Sequence, residues 1–234
     1  MSMKDIVSNP DMLREWIEED KAGDRQYDAE HPDSLLPRFE KEVRDMGFQF
    51  ETRSQITIFM PKQKKLLLPL AIAYYQQARD LNKRNEQGYF LDFFRYKECE
   101  EVVPMLLQDY YAPDTTRLIT WCISDCLYQI RSKKYLDAYV DIIQNPRFGR
   151  NRQMLILLIG QWKVEKAIPI LIQLLEQEDV RLHAISALGD FKREEFRCYF
   201  ERFEKAKHSG WRKYARIALK KLDKAKEKHQ ITPQ

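Results

Sequence analysis

The stretch RLHAISALGDFKREEFRCYFERF, from Arg181 to Phe203, decides the fold. Ala184, Ala187 and Leu188 recur at i, i+3 and i+4, and Phe196, Phe200 and Phe203 at i, i+4 and i+7. That spacing gives two apolar helical faces joined by a polar turn. RQMLILLIGQWKVEKAIPILIQLL, from Arg152, repeats the pattern. With Gly189 set on Gly160, Ala184 falls on Leu155, Ala187 on Leu158 and Leu188 on Ile159; Phe196, Phe200 and Phe203 fall on Ala167, Leu171 and Leu174. RKYARIALKKL, from Arg212, enters the same frame with Ala215, Ala218 and Leu219 in the core slots.

The frame extends toward the N terminus. Ile142 and Ile143 align with Leu174 and Leu175, which puts Ile123, Cys126 and Leu127 in first-helix slots and Tyr135 and Tyr139 in second-helix slots. One step earlier Pro104 aligns with Pro169; Phe90, Phe93 and Phe94 then fill the first helix, and Val102 and Leu106 the second. The units start near 87, 120, 152, 181 and 212, a period of 29 to 33 residues. Proline is tolerated in the first turn of a helix, where its missing N–H has no partner to lose, so the second helices are predicted to start near Glu101 and Lys166. An earlier second helix, KKLLLPLAIAYYQQARD at 64–80, carries Pro69 in the equivalent place, whereas Ile56 to Met60 (ITIFM) reads as extended. Neither helix of such a unit buries its apolar face alone; stacked neighbours bury a continuous core.

Composition agrees. Only 7 glycines in 234 residues favours helices over turn-rich sheets, and 44% apolar with 32% charged residues allows a core inside a hydrated shell. No apolar run is long enough to span a bilayer, and residues 1–20 lack the apolar segment of a secretory signal. Cys99, Cys122, Cys126 and Cys198 form no CxxC pair, which fits a reduced, cytoplasmic protein. The net charge of +4 is unevenly spread. Residues 1–50 carry 7 Lys/Arg against 13 Asp/Glu (−6), and residues 204–230 carry 10 against 3 (+7). Asp11 to Lys21 reads as a helix behind Pro10, residues 22–34 as a polar linker, and LLPRFEKEVRDMG as a short helix ending at Gly47. The expected organisation is an acidic N-terminal helical cap over 1–47 and a repeat array over 48–234 that ends in a basic capping helix.

The pattern R-x-x-A-x-x-A-L-G at Arg181 to Gly189 resembles the HEAT repeat of the phycobilisome-lyase type, over about Asn85 to Leu222. The region from Leu35 to Gln77 is similar to the N-terminal part of a group of bacterial HEAT-repeat proteins. The resemblance implies an all-α, right-handed, armadillo-like α-solenoid of five to six helical hairpins. It also implies that second helices line the concave side. There the residues pointing away from the core are Glu100, Glu101 and Gln108; Lys133, Lys134 and Asp141; Glu165, Lys166 and Gln173; and Glu194, Glu195 and Arg202, with Val103, Leu136, Ile168 and Arg197 one slot on. Tyr96, Tyr110 and Tyr111 are further contact candidates, because tyrosine is enriched at interfaces. The expected partner-binding set is Glu100, Glu101, Gln108, Tyr111, Lys133, Lys134, Asp141, Lys166, Gln173, Arg197 and Arg202.

Catalytic signatures are missing from the sequence: it has no GxGxxG, Walker loop or GxSxG. Cys122 and Cys126 stand four apart, but Cys126 fills a core slot and no second ligand pair accompanies them, so no metal or cofactor is expected. His183 reads as a surface histidine with no nucleophile to activate. Glu100/Glu101 and Glu194/Glu195 sit where carboxylates favour a helix N-terminus. The sequence therefore predicts a non-catalytic scaffold that binds a protein or peptide, as a monomer or weak homo-oligomer without membrane contact. Nucleic-acid binding, as in the helical-repeat alkylpurine DNA glycosylases, ranks second. It needs a basic concave face with an exposed Trp and Asp, whereas Trp121 and Asp125 lie on a first helix. A lyase-like enzyme ranks third, with no residues to assign to it. The basic C-terminal residues are expected to point around their helix and to give only weak polyanion binding.

Overall fold

The structure, a computed structural model, describes residues 9–231, with side chains as far as residue 227. The first eight residues of the expected N-terminal cap, and the side chains beyond 227 in the basic cap, lie outside the described residues. Every regular element among the described residues is helical. The chain forms two compact units, one ending at Val102 and the other beginning at Val103. Residue 47, the expected domain boundary, falls inside the first unit.

The first unit contains α1 (Pro10–Glu30), α2 (Leu36–Asp45), α3 (Arg53–Ile58), α4 (Met60–Asp80) and α5 (Arg84–Leu91). Two short 3-10 turns, Asp92–Phe94 and Glu100–Val102, complete it. Phe39 of α2 is fully buried and meets Tyr74, Tyr89, Phe90 and Phe93 edge-on. Two expectations fail here. Residues 22–34 are not a linker, because α1 runs on to Glu30. No α1 residue is buried; instead its inner side meets the nearly buried Arg53, whose backbone N–H donates to Asp24 Oδ2 (3.0 Å) and whose guanidinium pairs with Asp28 (2.5 Å) and Glu40. Polar residues 25 to 29 positions from their partner leave no apolar period to read. Nor is ITIFM extended. A strand would turn Ile56, Ile58 and Met60 to one face, but Ile56 and Met60 are buried while Ile58 is 67% exposed, the i, i+4 logic of a helix. A backbone break at Gln63 precedes the expected helix from 64, and Pro69 lies in its second turn, not its first.

The second unit contains α6 (Val103–Tyr111), α7 (Arg117–Ile130), α8 (Leu136–Gln144), α9 (Gln153–Gln161), α10 (Ile168–Leu174), α11 (Arg181–Phe191), α12 (Arg197–Glu204) and α13 (Ser209–Ile231). First helices pack on first helices, α7 on α9, α9 on α11 and α11 on α13. Each second helix packs on the first helix that follows, α6 on α7, α8 on α9, α10 on α11 and α12 on α13. The core slots Ile123, Cys126, Leu127, Leu155, Leu158, Ile159, Ala184, Ala187, Leu188, Ala215 and Ala218 are all buried. Tyr135 and Leu219 are half-buried. Val103, expected to point outward, is fully buried.

Three devices recur with the repeat. Arg131, Lys163 and Lys192 end α7, α9 and α11 in the left-handed conformation, at φ of 58°, 52° and 57°. A 3-10 turn then opens each second helix, at Lys133–Tyr135, Glu165–Ala167 and Glu194–Phe196. Finally, the leading arginine of each unit ties the first helix to the end of the preceding second helix. Arg152 Nη1 donates to Ile143 O (3.1 Å), Arg181 Nε to Leu175 O (2.6 Å) and Arg212 Nη1 to Ala206 O and Lys207 O (2.6 and 2.7 Å). A guanidinium there satisfies carbonyls that a helix C-terminus leaves without partners.

Candidate interaction surface

The 3-10 segment Pro146–Arg152 shapes a groove, and the buried Arg152 holds it in place. Arg152 Nε donates to Gly149 O (2.9 Å) and Nη2 to Gln177 Oε1 (2.7 Å), with Asp179 Oδ2 at 3.5 Å. Gly149 takes φ 49° and ψ −129°, a conformation that side chains other than glycine's rarely adopt. Asn151 Nδ2 donates to Arg117 O (3.2 Å), and Asn151 O accepts from Ser124 Oγ (2.5 Å), which fastens the segment to α7. Thr116 caps α7, its Oγ1 accepting from Ile119 N (3.3 Å).

Between this segment and the first turns of α7 lies a groove of about 840 Å³. Arg117, Leu118 and Trp121 line one side, and Arg147, Phe148 and Arg150 the other. Leu118 is 64% exposed and Trp121 46%, although both are large apolar side chains. The Arg147 guanidinium lies 4.5 Å from the centre of the Phe148 ring and 5.6 Å from that of Tyr111, and donates to Tyr111 O (3.0 Å). Among the described residues the guanidiniums of Arg117 and Arg150 have no partner. The one carboxylate of the lining, Asp179, already faces Arg152. The groove thus offers free cationic forks beside exposed apolar surface, at the positive end of a helix.

The residues expected from sequence are placed differently. Glu100, Glu101, Gln108, Lys133, Lys134, Asp141, Lys166, Gln173 and Arg202 are exposed, and Arg197 is half-exposed. Much of this row is occupied internally. Lys166 pairs with Asp137; Arg197 with Glu194 (2.5 Å) and Asp223 (2.7 Å); Arg202 with Glu176 (2.8 Å); and Glu101 with Lys64 (2.8 Å). Lys133 sits 5.8 Å from the Trp162 ring and Lys134 5.4 Å from that of Tyr135. Of the eleven residues only Tyr111 touches a residue of the groove. Tyr110 is buried, not exposed, and Tyr96 is half-buried with its hydroxyl donating to Thr57 O (2.9 Å). His183 is half-buried rather than at the surface; its Nδ1 is enclosed without a hydrogen-bond partner, and burial lowers its pKa. Asp125 is buried while Trp121 opens onto the groove. Cys126 is buried, as its core slot requires.

Arg117, Leu118, Arg147 and Arg150 escaped the sequence reading because it ranked second-helix positions and a few tyrosines, and Trp121 was set aside for lying on a first helix. The available signal was apolar residues outside the core slots, Leu118 and Trp121, beside the arginine-rich loop PRFGRNR. Among the described residues no group of three His, Cys, Asp or Glu is arranged to hold a metal ion, and no helix is long and apolar enough to cross a membrane. Among the described residues, fold and groove define an all-helical protein of paired helices with a cationic, partly apolar groove. Comparison with protein-family models, curated proteins and solved structures found no match.

Proposed function

We propose that this chain is an α-solenoid of HEAT-type repeats and that it binds a protein partner without catalysis. A short acidic segment of that partner lies in the groove between α7 and Pro146–Arg152. The solenoid reading is supported by units that contact mainly their neighbours and repeat the same left-handed cap, 3-10 turn and arginine tie. The binding reading rests on one observation: free Arg117 and Arg150 beside exposed Leu118 and Trp121. Arginine and tryptophan dominate interface energetics because each joins a large apolar contact to a directional polar one. A carboxylate meets a guanidinium fork with two parallel hydrogen bonds, and an apolar neighbour covers the indole. The groove carries this reading better than the second-helix row, where most charges already have partners. Peptide display selected on the intact protein and counter-selected on Arg117→Glu/Arg150→Glu tests it. Enriched peptides are expected to pair Asp or Glu with an aromatic or aliphatic residue and to lose binding to Trp121→Ala. Peptides without acidic bias, or indifferent to both variants, would exclude the groove.

A further inference from the structure

The outer face of α13 carries charge that neither the core nor the groove uses. α13 turns Ala215, Ala218 and Leu222 inward and packs on α11 and α12. Away from that contact, Arg212, Lys213, Arg216 and Lys220, with Ser209 and Ile217, line a shallow concavity of about 410 Å³. Four of the basic residues thus share one face, whereas Lys221 turns to Asp190. Positions 212, 216 and 220 follow i, i+4, i+8 and stack in one row, about 6 Å apart at the 1.5 Å rise of an α-helix.

No carboxylate lines this concavity, and Lys213, Arg216 and Lys220 have no partner among the described residues. Cations elsewhere on the same unit do find carboxylates: Lys221 meets Asp190 (2.6 Å), Arg193 meets Glu165 (2.5 Å) and Arg202 meets Glu176 (2.8 Å). Arg212 is held by Ala206 O and Lys207 O, which leaves Lys213, Arg216 and Lys220 as the unneutralised charges of this face. Like charges four apart oppose the helix that carries them, and a polyanion would relieve that repulsion.

We infer that this face binds the phosphate backbone of a nucleic-acid duplex without reading its sequence. A straight row of cations complements a regular line of phosphates. The face lacks the Asn, Gln and acidic side chains that read base edges, and it lacks aromatic rings on which single-stranded bases stack. A membrane-surface helix buries an apolar face in lipid, whereas α13 commits its apolar face to α11 and α12 and, among the described residues, leaves Ile217 as its one exposed large apolar side chain.

Fluorescence anisotropy with a labelled mixed-sequence duplex of about 20 base pairs decides the matter. Engaging three to four phosphates weakens binding on the order of 100-fold between 50 and 200 mM salt. Lys213→Glu/Arg216→Glu/Lys220→Glu is expected to abolish binding while keeping the wild-type circular dichroism. Lys97→Glu/Lys133→Glu/Lys134→Glu makes the same change in net charge elsewhere and is expected to bind as wild type. The triple Gln variant of the α13 face, which adds no repulsion, is expected to lose at least tenfold. Undetectable duplex binding at 50 mM salt, or equal loss in both Glu triples, overturns the inference. So does tenfold tighter binding to a single strand or to phosphatidylserine vesicles.

Discussion

Arginine does three different jobs in this chain, and surroundings decide which. Arg152 is 1% exposed and spreads its guanidinium over Gly149 O, Ile143 O and Gln177 Oε1, so it is a fastening built into the core. Arg150, two residues earlier, is exposed without a partner and belongs to the groove. Arg53 balances Asp24, Asp28 and Glu40 in the first unit. Arg152→Met is expected to destabilise the protein by about 2–4 kcal/mol, because buried carbonyls and the Asp179 carboxylate lose their partner. Arg150→Met is expected to shift stability by less than about 0.5 kcal/mol, the range of ordinary surface substitutions. Urea unfolding of the two variants tests the contrast, and equal midpoints would mean that Arg152 fastens nothing. The repeat pattern marked Arg152, Arg181 and Arg212 as equivalent, yet their role as ties was not legible, since the carbonyls they reach belong to the preceding helix.

At the scale of the element, helix packing rests on two glycines. A Cβ added to Gly160 of α9 would meet Ala187 Cβ of α11 at 2.6 Å, and one added to Gly189 of α11 would meet Ala218 Cβ of α13 at 2.9 Å. The glycine is therefore a contact point between successive first helices, while the turn that follows is left to Lys163 and Lys192 in the left-handed conformation. Gly23 in α1 and Gly88 in α5 have nothing within 4 Å of an added Cβ. Gly160→Ala is expected to cost roughly 1–3 kcal/mol, because backbone must move to relieve the overlap. Gly23→Ala and Gly88→Ala are expected to stabilise by roughly 0.5–1 kcal/mol, since alanine restricts the unfolded chain and favours helix. Thermal unfolding of the three variants checks the signs, and a stabilised Gly160→Ala would place α9 and α11 farther apart.

Over the whole molecule, burial is unevenly distributed. Five of the nine residues of α9 and six of the eleven of α11 are buried, whereas none of α1 is. Local opening costs most where apolar contacts are dense. Native-state hydrogen exchange is therefore expected to be slowest in α9 and α11 and fastest in α1. Protection of α1 equal to that of α11 would count against this ordering. The ion pairs that link successive units, such as Arg202 with Glu176 and Arg193 with Glu165, are exposed and contribute little, so this ranking is expected to survive added salt.

The sequence by itself determined the helical class, the starts of the repeating units and most of the buried positions. Those follow from the spacing of apolar residues along one chain, as at Ala184, Ala187 and Leu188 or Phe196, Phe200 and Phe203, and spacing is a local property. It also flagged Pro104 and Pro169 as openings of second helices, because a missing N–H has a fixed local cost. Only the tertiary structure decided the rest. It extended α1 across an apparently polar linker, because Arg53 supplies the charge that Asp24 and Asp28 need. It made ITIFM helical, because only Ile56 and Met60 find a core. It set Leu118 and Trp121 beside Arg117 and Arg150, and occupied Lys166, Arg197 and Arg202 with carboxylates from neighbouring units. Most of those outcomes depend on side chains that meet across 25 or more residues, as Arg53 with Asp24, Lys166 with Asp137 and Arg202 with Glu176 do, and no periodicity in a single helix records that.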